Sequence, residues 1–145
     1  MAVVTAVNIS EQKGTRKHEV PEITLKLHHG IVGDAHAGDW HRQISLLADE
    51  SVDTMRSLGL ELLPGAFAEN ICTRGIVLKT LPIGTRLQIG SAVAEVTQIG
   101  KKCHNDCEIK KLTGKCVMPT DGIFVIVVEE GSVKVGDSIS IVEGN

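Results

Sequence analysis

Three of the chain's four cysteines, Cys103, Cys107 and Cys116, lie in one stretch with Lys101, Lys102, Lys110, Lys111 and Lys115. Thiol chemistry runs mainly through the thiolate, and nearby positive charge favours ionisation of a cysteine near neutral pH. Only Asp106 and Glu108 oppose those five cations, so the stretch carries +3 in a chain whose net charge is −3. Such a local reversal marks a site for an anionic ligand beside a reactive thiol. Cys103 follows a predicted strand ending near Gly100 and precedes a predicted helix start, where unpaired backbone N–H groups stabilise an anion. His104 or Asp106 could move protons there. Cys103 and Cys107 are four apart and would share one face of a helix, which suits a resolving thiol or a second metal ligand.

A structural metal is the competing account, since Cys103, His104, Cys107 and Cys116 have the softness that zinc or an iron–sulfur cluster requires. The spacing weighs against it. Zinc ligands usually come as two separated pairs, and here only Cys103 and Cys107 make one. The fourth cysteine, Cys72, stands alone within a predicted strand and reads as a small buried hydrophobe.

A second group of chemical residues, Asp34, His36, His41 and Arg42, surrounds the glycine-rich run from Gly30 to Gly38. Arg42 is suited to gripping a phosphate, because its planar guanidinium can donate two parallel hydrogen bonds. The plainer alternative has Asp34 closing a turn and pairing with Arg42 on the surface. Asn70 with Glu69 could contact a heterocycle edge or serve a turn. Lys13, Arg16 and Lys17 read by default as a solvated basic loop. Gly30, Gly33 and Gly38 make no dinucleotide fingerprint, because no long helix follows them.

These groups have to be placed by a scaffold of 145 residues, the size of one domain with a single core. Apolar residues make up 42% with two Phe, one Trp and no Tyr, so Val, Ile, Leu and Ala must fill that core, which favours β structure. Strands are predicted at 5–9, 23–27, 43–47, 70–73, 85–89, 92–99, 122–128 and 135–142, with Gly90-Ser91 turning a hairpin. A helix capped by Asp49 or Ser51 carries Val52, Met55 and Leu58 on one stripe and stops at Gly59. A second is predicted near 106–112. Many short strands with one or two short helices predict a mainly β (α+β) fold, a closed or nearly closed β-barrel.

Composition also excludes classes of function. An acidic chain poor in aromatic residues lacks both the basic face and the stacking platforms of nucleic-acid binders. The first residues, Met1 to Ile9, read as a strand rather than a signal, and no segment approaches the ~18 apolar residues of a membrane span. A cytoplasmic protein with reduced cysteines is expected.

Taken together, four segments resemble the MOSC domain family, named for the C-terminal domain of molybdenum cofactor sulfurases. They are Gly30 to Gly38, Arg42-Gln43-Ile44-Ser45-Leu46-Leu47, Pro64-Gly65-Ala66-Phe67-Ala68-Glu69-Asn70-Ile71, and the region of Cys103. Cys103-His104-Asn105-Asp106-Cys107 with Gly114-Lys115-Cys116 resembles the short bacterial branch of the family. The resemblance implies a barrel like that of pyruvate kinase, a link to pyridoxal phosphate enzymes, and one functional cysteine that ligates molybdenum or carries sulfur. By position that cysteine is Cys103. Two departures stand out: Ala68 replaces the glycine usual before Glu-Asn, and Gly100-Lys101-Lys102-Cys103 lacks the proline pairs of the longer, reductase relatives.

The expectation is therefore a protein that binds the molybdenum cofactor (molybdopterin), or a sulfurated intermediate of it, and carries or transfers sulfur. Cys103, His104 and Cys107 are its reactive residues, with Cys103 also the metal ligand. Asp34, His36, Arg42, Asn70, Lys101, Lys102, Asn105 and Cys116 are its cofactor-binding residues. A cysteine desulfurase or a molybdopterin-synthesis enzyme is the expected partner. A small molybdenum reductase of N-hydroxylated substrates and a non-catalytic cofactor carrier are the alternatives.

Overall fold

Alternation of branched aliphatic residues with polar ones lays down most of the chain as strands. The computed structural model describes residues 2–11, 17–35, 37–56, 69–100 and 122–142. Within them run β1 (Val3–Ile9), β2 (His18–Val20), β3 (Glu22–Lys26), β4 (Gly30–Ile31), β5 (Ile44–Ala48), α1 (Asp49–Arg56) and β6 (Ile71–Arg74). Then follow β7 (Arg86–Ile89), β8 (Ala92–Ile99), β9 (Ile123–Glu129), β10 (Gly131–Lys134) and β11 (Ile139–Val142). Eight strands form one sheet in the order β11-β7-β8-β9-β5-β6-β1-β2, and β10-β3-β4 form a second. The large sheet is mixed, because β5 and β6 run parallel while its other pairs are antiparallel.

One aliphatic cluster unites the two sheets. Ile44 and Leu46 of β5, Ile123, Val125 and Val127 of β9, and Ala92, Ala94 and Val96 of β8 meet Ile23 and Leu25 of β3 and Val133 of β10. In β3 the period of two is clean, with Ile23 and Leu25 buried and Thr24 and Lys26 exposed. β5 is buried at every position, so Ser45 and Leu47 lie on the sheet face opposite the core cluster. That second face carries the polar residues described below.

The Gly90-Ser91 turn joins β7 to β8 as predicted. Gly90 has φ 58°, and a Cβ there would sit 2.6 Å from the Ser132 carbonyl oxygen and from Asp137 Oδ2. A side chain is thus excluded by conformation and by space. α1 starts with Asp49 and Glu50 in its first turn, where acidic groups meet the positive end of the helix. Arg74 ties it to β6 through Asp49 (2.5 Å) and Asp53 (3.0 Å). The predicted second helix near 106–112 lies outside the described residues.

Three short strands escaped the sequence reading: β2, β4 and β10. β10 opens on Gly131-Ser132, which carry no strand signal. It pairs with β3 and locks to the β7–β8 turn, where the Ser91 and Ser132 backbone and hydroxyl groups exchange hydrogen bonds. The last strand starts at Ile139 rather than at 135, because Val135-Gly136 form a turn with Gly136 at φ 94°.

A closed barrel is not found. The two ends of the sheet do meet at one isolated antiparallel bridge between Val3 and Ser138, flanked by Val4 N–H to Asp137 O (2.8 Å) and Ile139 N–H to Ala2 O (3.1 Å). No continuous ladder runs between β1 and β11. Among the described residues no helix is long and apolar enough to cross a membrane.

Candidate functional site

β8 ends at Ile99 and β9 starts at Ile123, and the cysteine-bearing stretch lies between them in the sequence. Ile99 and Ile123 are register partners there, and Gly100 N–H donates to the Gly122 carbonyl at 2.7 Å. Residues 101–121, and with them Lys101, Lys102, Cys103, His104, Asn105, Cys107 and Cys116, lie outside the described residues, as does His36.

Arg42 lies at this root. Its guanidinium carbon sits 5.2 Å from the Trp40 ring centre and 5.6 Å from that of Phe124, two residues beyond Gly122. Aromatic faces attract a cation at such distances. Arg42 Nε is buried and has no hydrogen-bond partner among the described residues. A buried cationic donor without an acceptor is costly unless a ligand completes it. The predicted surface pair of Arg42 with Asp34 is not formed, because Asp34 is taken by another cation.

Gln98 links the Arg42 loop to the root. Its Nε2 donates to the Gly100 carbonyl (2.8 Å), and its Oε1 accepts from His41 Nε2 (3.0 Å), which therefore carries the ring proton. The Thr97 hydroxyl lies against the carbonyls of His41 and, at 3.1 Å, Phe124. The His41 ring stands edge-on to Trp40 at 5.8 Å. The β8–β9 register shifts between Val96 and Gln98, so a bulge at Thr97 re-aims consecutive polar side chains toward the loop.

Asp34 is held inside. Lys17 Nζ donates to Asp34 Oδ1 at 2.7 Å and to Ser10 Oγ at 3.1 Å, and both members of the ion pair have 0% side-chain exposure. Ser10 N–H donates to the same carboxylate oxygen (3.1 Å). Burial alone would raise the Asp34 pKa, but the Lys17 ammonium together with the Ser10 and Asn70 donors outweighs it and holds the carboxyl below its ordinary range.

Asn70 is also internal. Its Oδ1 accepts from the Ser45 N–H (2.9 Å) and lies 3.2 Å from the Ser45 hydroxyl, while its Nδ2 donates to the Asn8 carbonyl (3.1 Å). Its backbone N–H lies 3.0 Å from Ser45 Oγ and 3.1 Å from Ser45 O. Ser45 is in turn the register partner of Phe124. The structure thus joins Asp34 to Asn70 by way of Ser10 and Asn8, and Asn70 through Ser45 to the strand pair that carries Phe124.

Cys72 is a buried free thiol on the same sheet face. It donates to Glu69 Oε2 at 3.1 Å and receives Asn8 Nδ2 at 3.6 Å. Burial first, then the negative charge of Glu69, pushes its pKa far up, so it stays a thiol. Glu69 itself is 1% exposed.

Sequence reasoning missed Trp40, Phe124, Gln98, Ser45 and the burial of Lys17. Signals for some of them were present. Trp40 is the single tryptophan and lies two residues from Arg42, and Thr97-Gln98 breaks the alternation of β8. Nothing in the run Lys13-Gly14-Thr15-Arg16-Lys17 marks Lys17 as a buried residue.

The fold has counterparts among solved structures. The YuaD protein from Bacillus subtilis superposes with a TM-score of 0.72 at 20% identity, over 96% of this chain and 94% of that one. YiiM from Geobacillus stearothermophilus gives 0.74 at 19% identity, over 99% of this chain and 76% of that one. YiiM from Escherichia coli gives 0.71 at 18%, over 100% of this chain and 71% of that one. No curated protein matches the sequence. The family model described as MOSC domain matches residues 33–140, which run from the glycine-rich turn through Arg42 and the cysteine stretch to β11, and the chain belongs to the MOSC domain family.

Proposed function

We propose that the protein binds the molybdenum cofactor, or a sulfurated intermediate of it, at the sheet end marked by Arg42, and carries or transfers sulfur through Cys103. The observation that carries this reading is the buried, unpartnered Arg42 Nε, whose guanidinium lies against Trp40 and Phe124. That donor fits the phosphate of such a cofactor, and Lys101 and Lys102 add charge of the same sign. When bound, the cofactor would supply a metal centre that can take a thiolate ligand. Cys103 comes three residues after Gly100, which is tied to Gly122 at that root. The Val3–Ser138 bridge supports reading the sheet as a nearly closed barrel with this site at one end.

For sulfur transfer, the Cys103 thiolate attacks the terminal sulfur of a donor persulfide, forming the Cys103 persulfide and releasing the donor thiol. Nucleophilic attack by Cys107 or Cys116 on the Cys103 sulfur then forms a disulfide and expels hydrosulfide to the acceptor. Lysines beside the persulfide favour its anion.

The test is metal analysis and intact mass. Protein made in molybdate-replete cells should retain molybdenum, and Arg42→Gln should lose most of it. Incubation with a cysteine desulfurase and cysteine should add one sulfur, which Cys103→Ser abolishes. Zinc or iron in place of molybdenum, with no sulfur gain, overturns the reading. Retained cofactor without sulfur gain identifies a cofactor carrier instead.

A further inference from the structure

We propose that Lys17 and Asp34 are positioning residues for the Arg42 site, their buried ion pair setting the placement of the Trp40 and Phe124 rings that contact the guanidinium. The proposal rests on the reading of Arg42 as an anion receptor and adds the device that keeps it in shape.

Two branches leave Asp34. Through the backbone, Asp34 N–H donates to Ile31 O (3.2 Å), Ala37 N–H to Asp34 O (3.1 Å), and Trp40 N–H to Gly38 O (3.0 Å). The turn that ends in Trp40 is therefore wound around Asp34. Its neighbour Ala35 donates to Ser10 O (2.8 Å), beside the Ser10 hydroxyl that Lys17 also holds. Through β1, Asp34 Oδ1 accepts from Ser10 N–H, Asn8 two residues earlier exchanges hydrogen bonds with Asn70 (2.7 and 3.1 Å), Asn70 takes the Ser45 N–H, and Ser45 faces Phe124 across the β5–β9 pair. One residue thus connects to both walls.

An ion pair is a poor choice for stability alone. Removing two charges from water costs several kcal/mol, and apolar replacements of similar volume are often neutral or better. What the pair adds is direction: the carboxylate accepts from Lys17 and Ser10 at fixed angles, which an aliphatic contact would not enforce. A receptor whose donor must meet an oxyanion edge gains from that, because a preorganised site does not spend binding energy on ordering itself.

Trp40 is the only tryptophan and the chain has no tyrosine, so intrinsic emission reports this wall alone. The experiment compares acrylamide quenching of Trp40, phosphate affinity and thermal midpoint in the full chain and in the paired variant Lys17→Met, Asp34→Asn. The expected result is a steeper quenching slope and about tenfold weaker phosphate binding, as lost preorganisation predicts, with the midpoint near that of the parent. Unchanged quenching overturns the proposal, and so does a rise matched by general loss of stability. If the paired variant fails to fold, Asp34→Asn alone keeps an oxygen for Lys17 and Ser10, and parental quenching in it is equally fatal. Arg42→Gln separates the two readings. Phosphate binding indifferent to Arg42→Gln removes the anion receptor, while the Trp40 quenching still decides whether the ion pair sets the wall.

Discussion

At the scale of single residues, two of the buried titratable groups, Asp34 and Cys72, shift in opposite directions. The Asp34 pKa is depressed, so its contribution to stability is present above the ordinary carboxylate pKa of ~3.9 and is lost as pH falls through the lower folded value. Acid unfolding of Asp34→Asn, followed by circular dichroism, should therefore be less steep below pH ~4 than that of the parent. The Cys72 pKa is raised, so its contribution is complete below the ordinary thiol pKa of ~8.5 and fades as the unfolded thiol ionises above it. Urea midpoints of the parent should fall from that pH upward, and Cys72→Ala should remove this part of the slope. Native-state alkylation with peptide mapping should leave Cys72 unmodified, because the reagent needs an accessible thiolate. The sequence made Cys72 legible as a buried hydrophobe, but its hydrogen bond to Glu69 joins residues whose role depends on Asn8, distant along the chain.

At the scale of elements, the strands with strong alternation were legible to within a residue or two. β3 and β7 are examples, since their aliphatic residues have one buried face to choose, while β9 was legible as an uninterrupted apolar run. β2, β4 and β10 were not, because their pairing is dictated by partners and not by their own residues. The same distinction separates two glycines. Gly90 at φ 58° has backbone and carboxylate atoms 2.6 Å from any Cβ, whereas Gly84 at φ 95° has open space. Gly84→Ala should cost ~1–2 kcal/mol from backbone strain alone. Gly90→Ala adds a steric conflict worth a further ~1–3 kcal/mol. Urea unfolding of both variants reads the difference, and equal losses would mean that the Ser132–Asp137 side of the turn yields freely.

At the scale of the molecule, the site sits where the sheet is most thoroughly paired. β9 is held by β8 and β5, and β5 by β9 and β6, with β5 buried at every position. β11 and β2 are the outer strands of the large sheet, and Ile141 of β11 is 55% exposed. Little of this could be read from the sequence, since the order of strands brings 44–48 between 71–74 and 123–129 by contacts that no local pattern encodes. The consequence is a gradient of local stability. Amides of β5 and β9 should exchange only with global unfolding, while those of β2 and β11 exchange through local opening at lower free energy. Hydrogen exchange with mass spectrometry measures this directly. Rapid exchange in β9 near Phe124 would mean that the wall beneath Arg42 opens on its own. A receptor built on it would then have to form at the moment of binding, and phosphate should slow that exchange locally without changing β11.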